Sequence, residues 1–261
     1  MLEITDKQLL SWLAAWLWPF LRLGAFVLVA PVIGTRSVPA RVRILFALGL
    51  TVVMSPLIDP ASVPEVPVVS AMGLSIAGLQ VLIGLGLGLV LRMVFMVLEF
   101  AGQLIAQQMG LGFAAMVDPA SGAQVPVIAQ FYVILGTLMF FAFDAHLKLV
   151  ELLAHSFELM PLGGGGFAPG ALARVIEWSG ELLGFGVIIM LPVVASLLVV
   201  NLAFGVMARA APQLNIFAVG FPIMILFGSL MIVLTLGMLP EQVEGLFSSA
   251  YGVAYEMMRI R

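Results

Sequence analysis

Few residues in this chain are equipped to do chemistry. His146 and His155 are its only histidines, and nine residues apart on a helix turning 100° per residue they face opposite ways, so they do not make a metal pair. Glu151, His155 and Glu158 fall within about 60° on one helical face, a carboxylate, imidazole and carboxylate stripe whose chemistry would be metal ligation. The same stripe fits a solvated helix end, with Lys148 spaced to pair with Asp144 and Glu151. The i, i+4 histidine spacing of familiar zinc sites is missing, as are an HExxH motif and a nucleophile elbow. With no cysteine there is no thiol nucleophile, disulfide or Cys-ligated zinc. No catalytic, metal or cofactor site is therefore assigned, and nothing argues for an enzyme.

More informative are polar residues stranded in apolar surroundings. Arg22, Arg92 and Arg209 each lie in or at the end of a hydrophobic run, where a charge facing lipid is costly, so each is expected to face protein or water. Asn201 and Gln213 join them as polar side chains expected to pack inside protein. Glu99, Gln103 and Gln107 repeat every four residues and stay within about 80° of one another, one polar stripe along a helix. That stripe lines a buried aqueous path or marks a helix leaving the membrane with a wet face.

The stripe runs into QQMGLGFAAMVDPASGAQVPVIAQF at 107 to 131. Met109 to Phe113, with Gly110 and Gly112, is too glycine-rich for a stable helix, and Asp118, Pro119, Gly122 and Pro126 break the chain again. A non-helical segment carrying Met109, Leu111, Phe113 and Met116 between the polar flanks of Gln107, Gln108 and Asp118 suits a re-entrant constriction. Flexible thioethers and a ring can fill a pore while glycines let the backbone move aside. An ordinary exposed interhelical loop is the plainer alternative.

Composition sets the surroundings. The 261 residues are 62% hydrophobic and 10% charged, with a mean hydropathy of +1.19, too apolar for a water-soluble domain. A net charge of -3 and the lack of a basic tract leave nucleic-acid binding without support. The opening MLEITDK does not read as a cleavable signal, and the run after it is expected to be retained. About six hydrophobic segments follow, at 8–30, 44–58, 70–106, 125–148, 180–208 and 216–239, in a single membrane domain covering 1–261. The third is too long for one straight crossing. Backbone amides must be paired in hydrocarbon, so the fold expected is all-α, a polytopic membrane helix bundle with a central re-entrant loop. Small residues four apart, as in GLGLG at 84–88 and Gly180 with Gly184, allow two helices close approach. Arg36, Arg41, Arg43 and Arg209 place their loops on the cytoplasmic side, against which Arg259 and Arg261 count.

Four stretches together resemble one family: RLGAFVLVAPVIGTRSVPARVR at 22–43, AGQLIAQQMGLGFAAMVDPASGAQVPVIAQF at 101–131, SFELMPLG at 156–163 and LPVVASLLVVNLAFGVMARAAPQLNIFAVGFP at 191–222. They resemble the flagellar biosynthetic FliR family, whose injectisome counterparts are the T-family export subunits. FDAHLKL at 143–149 departs from a family stretch that carries Gly-His, with Ala145 for the glycine.

The resemblance implies a non-enzymatic subunit of the type III export gate, in the bacterial inner membrane at the flagellar basal body. It implies helices bent into hairpins, assembly with FliP and FliQ beside FlhB and FlhA, and unfolded flagellar proteins as export substrates. It also implies that the loop matching 107–123 plugs the channel. From the residues alone a small-solute secondary transporter with its site at the broken helix stays open, as does the injectisome counterpart.

Overall fold

The computed structural model describes residues 6–35, 37–64, 66–111, 127–210 and 216–259. Among them every regular element is helical. The order is α1 (Asp6–Val29), α2 (Ala40–Met54), α3 (Ala71–Gln108), α4 (Val127–Ala142), α5 (Ala145–Leu159), α6 (Ala171–Ala210), α7 (Ile216–Thr235) and α8 (Leu239–Met258). This is the all-α polytopic architecture expected, and four stretches are long and apolar enough to cross a membrane: 40–57, 71–108, 171–210 and 219–258.

The segment expected as one span at 125–148 is instead two helices. α4 and α5 meet at a 70° bend, where Asp144 takes a left-handed conformation with φ 52°, a backbone state that aspartate tolerates better than most residues. Counted together they make a fifth candidate span. The run at 180–208 is longer than its hydropathy showed, because α6 begins at Ala171. The run at 216–239 ends at a single tight turn, Leu236–Met238, and α8 continues from it. The third run is one unbroken 38-residue helix.

The chain divides into two compact units. The first comprises 1–93, 144–178 and 248–261, the second 94–143 and 179–247. In the first, α1 lies against the N-terminal half of α3 through Gly84 and Gly88. A Cβ added at Gly84 would collide with the Arg22 carbonyl, and one at Gly88 would stand 3.0 Å from the Phe26 carbonyl oxygen. This is the close approach that four-residue glycine spacing permits. Gly180 and Gly184, expected to do the same, meet nothing within 4 Å among the described residues.

The PLGGGGFAPG connector is tied into the first unit. The N–H of Gly163 donates to the Ser62 carbonyl at 3.1 Å and that of Ala168 to the Met257 carbonyl at 2.9 Å. α8 closes the unit from the other end of the chain, with the Tyr251 hydroxyl donating to the Ala145 carbonyl at 2.5 Å and Trp178 Nε1 to Ser249 Oγ at 2.7 Å.

The second unit holds its helices by a cluster of three aromatic rings. Phe95 packs edge-on to Phe140 at 6.0 Å and to Phe247 at 5.8 Å between centroids, and Phe140 and Phe247 are 5.5 Å apart. Such pairs add about 0.5–1.5 kcal/mol each beyond the area they bury. Gly102 lets the backbone of α3 pass Ala129 of α4, and Gly136 receives Leu98.

Candidate functional site

Two polar constructions stand out, one in each unit. In the first, the Arg22 side chain is fully buried, and its partners are neutral. Nε donates to Gln80 Oε1 at 2.7 Å, Nη1 to the Ser156 carbonyl at 2.6 Å and to Ser156 Oγ at 3.2 Å, and Nη2 to the Met160 carbonyl at 2.7 Å. The guanidinium carbon lies 4.3 Å from the centroid of the Phe157 ring.

The cation thus sits at the C-terminal end of α5, the negative pole of the helix dipole; the Ser156 carbonyl it meets also accepts the Met160 N–H at 3.1 Å, and the Met160 carbonyl belongs to the C-cap residue. Gln80 Nε2 continues the network to the Leu162 carbonyl at 3.1 Å. The cluster fixes the end of α5 and the turn after it against α1 and α3. Gln80 was not singled out in the sequence, although a lone glutamine in an otherwise apolar helix is a readable signal for a buried hydrogen-bond partner.

In the second unit the Glu99, Gln103 and Gln107 stripe is present on α3. Gln103 Nε2 donates to Glu99 Oε1 at 3.3 Å, and exposure rises along it, with Glu99 and Gln103 half-buried and Gln107 exposed. Gln107 and Gln108 are the last residues of α3 and so belong to the helix, not to the loop expected from 107 onward.

The helix stops there for a clear reason. The N–H of Gly110 donates to the Gln107 carbonyl and that of Leu111 to the Ala106 carbonyl, both at 3.0 Å, and Gly110 has φ +81°. This bond pair with a left-handed glycine is the Schellman C-cap. Met109, expected in the mobile plug, is buried. It lies across Gly228 of α7, where an added Cβ would stand 2.7 Å from Met109 Cγ. Phe221 of the same helix flanks Gly110, 3.4 Å from where a Cβ would be. The first three residues of the expected plug are therefore capped and seated. Gly112, Phe113, Met116, Asp118, Pro119 and Gly122, with Gln213, lie outside the described residues.

The remaining polar residues are not brought together. Arg92, Asn201 and Arg209 are exposed on this chain, on helix faces that its described residues leave open to water or to another subunit. Glu151 and Glu158 are also exposed. His155 Nδ1 lies 2.9 Å from the Tyr255 hydroxyl, and among the described residues no group of three acidic, histidine or cysteine side chains could hold a metal.

These features define a class first: a polytopic helical protein of the membrane, with a polar helix stripe running to a capped, anchored break. Residues 13–250 match the model of a family described as bacterial export proteins, family 1. The flagellar biosynthetic protein FliR of Escherichia coli (strain K12) is 36% identical over 99% of this chain and 98% of its own length. The FliR proteins of Pectobacterium carotovorum and Bacillus subtilis (strain 168) are each 34% identical, over 99% and 90% of this chain and 98% and 90% of their own lengths. The chain belongs to the FliR family of bacterial export proteins and is a membrane component of flagellar protein export.

Proposed function

We propose that this chain is a structural and gating subunit of the flagellar type III export gate. It forms part of the export channel together with FliP and FliQ, next to FlhB and FlhA, in the inner membrane at the basal body, and it is not an enzyme. Its segment 107–123 is the plug of the channel, and unfolded flagellar proteins are what passes.

The observation that carries this reading is the end of α3. A half-wet face of Glu99, Gln103 and Gln107 leads to a left-handed Gly110, and Met109 is held on Gly228. A segment that must close a pore against ions, yet yield to a polypeptide, needs a fixed root and an apolar, adaptable body. The root is Met109 to Leu111. The body is the stretch bearing Phe113 and Met116.

The outer faces of α6 and α7 add support. Leu198, Val199, Leu202 and Val206 on α6, and Leu226, Val233 and Leu234 on α7, are each about half to three-quarters exposed. So much apolar surface is left for lipid or for other subunits.

Coexpression with FliP-like and FliQ-like subunits tests the assembly. The chain should copurify with both in one complex of fixed composition. Monodisperse behaviour alone, with neither partner retained, would overturn the proposal.

A further inference from the structure

The first unit carries a feature that export gating does not use. Between α1, α2 and α3 lies a slot of about 380 Å³, lined almost wholly by apolar atoms. Its depth comes from small residues. Gly24 lines it and, among the described residues, has nothing within 4 Å of an added Cβ, and Ala40 and Ala47 line it from α2. On α1 the slot runs from Phe20 to Leu28, about 12 Å at 1.5 Å per residue. An apolar slot of that length and volume has room for a stretch of one alkyl chain. Leu28 and Ile44 at its border are themselves more than half exposed, so the surface around the slot is one that membrane hydrocarbon would wet.

One end of the slot is positively charged. Ala40 and Arg43 line it at the N-terminus of α2, and Arg41 lies in the same first turn. This is an awkward place for cations. The helix dipole is positive there, the first turn has no acidic residue, and the N-cap, Pro39, makes no side-chain cap bond. Among the described residues no carboxylate pairs with Arg41 or Arg43. Arg43 Nε and Nη2 both donate to the Val38 carbonyl, at 3.0 and 2.8 Å, which fixes the guanidinium at the slot's end and leaves Nη1 uncommitted. Two arginines on the positive pole of a helix without an anion are an incomplete arrangement, and a phosphate there would relieve it.

We propose that this slot binds one anionic phospholipid, its acyl chain between α1, α2 and α3 and its headgroup phosphate on Arg43, Arg41 and the α2 N-terminus. The position suits the headgroup level, since α2 is the start of an apolar stretch at 40–57 and the arginines stand at its beginning. The lipid would brace α2, whose burial within the chain is otherwise slight: of its fifteen residues only Ala47, Thr51 and Met54 are buried.

The test uses the full chain, purified and placed in phosphatidylcholine nanodiscs with or without phosphatidylglycerol, and native mass spectrometry of the lipid it retains. The result expected is one phosphatidylglycerol per chain, preferred over phosphatidylcholine. Gly24→Leu, whose Cβ meets no described atom within 4 Å and whose side chain would occupy the slot, should abolish retention while its melting temperature in phosphatidylcholine stays at or above the wild-type value. Arg43→Gln should weaken retention about tenfold, the loss of one charge-assisted contact, and erase the headgroup preference. Retention unchanged in Gly24→Leu would overturn the proposal. So would equal binding of both lipids, or inorganic phosphate giving the same stabilisation as the lipid. A side chain of another subunit filling the slot in the assembled complex would overturn it as well.

Discussion

Replacing Arg22 by methionine probes the fold where polar and apolar forces are most finely opposed. Arg22→Met keeps most of the side-chain volume and removes four donated hydrogen bonds. The Ser156 carbonyl keeps the Met160 N–H at 3.1 Å, and Ser156 Oγ keeps its own donation to the Leu153 carbonyl at 2.7 Å. Two acceptors are left stranded in the interior, Gln80 Oε1 and the Met160 carbonyl. Each costs about 1–3 kcal/mol unpaired, and the Phe157 ring loses a cation worth about 1 kcal/mol. Against this, a guanidinium no longer has to be desolvated, which returns part of the sum. The net expected loss is about 2–4 kcal/mol, or about 5–10 °C in melting temperature for a chain of this size. The assay is thermal unfolding of the full chain in detergent, followed by near-ultraviolet circular dichroism. Adding Gln80→Leu removes the stranded Oε1 but also takes the Nε2 donor from the Leu162 carbonyl, one stranded acceptor exchanged for another, so the double variant should stay within about 1 kcal/mol of the single variant. An Arg22→Met protein melting within about 1 °C of wild type would refute the claim that α5 is held by its terminal carbonyls.

Other outcomes follow from single positions. Gly84→Leu drives a side chain into the Arg22 carbonyl and should cost at least about 3 kcal/mol, seen as lost expression or a much lowered melting temperature, whereas Gly24→Leu should be tolerated. Gly110→Ala forces an L-residue into φ +81° at about 1–2 kcal/mol and, on the gating proposal, should raise resting ion leak in cells carrying the whole export complex. Gly180→Ala and Gly184→Ala meet nothing within 4 Å among the described residues and should each stabilise the helix by about 1 kcal/mol in the isolated chain; impaired copurification with FliP and FliQ would then identify this face as an intersubunit contact.

How far the sequence reaches can be judged element by element. Long apolar runs marked α2, α3 and α7 closely, because hydropathy reports a helix that must hide its backbone from lipid. It could not show the bend at Asp144, since a single residue entering the left-handed region leaves the hydrophobic run on either side intact. Nor could it set the start of α6 at Ala171, where Arg174 and Glu177 look like connector yet continue the helix. Of the polar positions, Arg22 was legible as a buried charge; of its partners, the Ser156 and Met160 carbonyls carry no sequence signature, whereas Gln80, alone in an apolar run, does. Glu99, Gln103 and Gln107 were legible because their spacing matches the helical period. Met109 fits a soft plug by its type, and only the three-dimensional position of Gly228, more than a hundred residues away, shows it packed against α7. The GLGLG and Gly180/Gly184 pairs look alike in sequence, and only the neighbouring backbone separates a helix contact from an open face.

The most direct measurement of the gating claim is small-ion leak across the inner membrane of cells expressing the complete export complex, with residues 110–120 of this chain deleted. Copurification of FliP and FliQ with the deleted chain would establish that the complex still assembles. The account predicts a clear rise in resting conductance over cells carrying the intact chain, with the complex present at equal abundance. An assembled complex whose leak is unchanged by the deletion would contradict it.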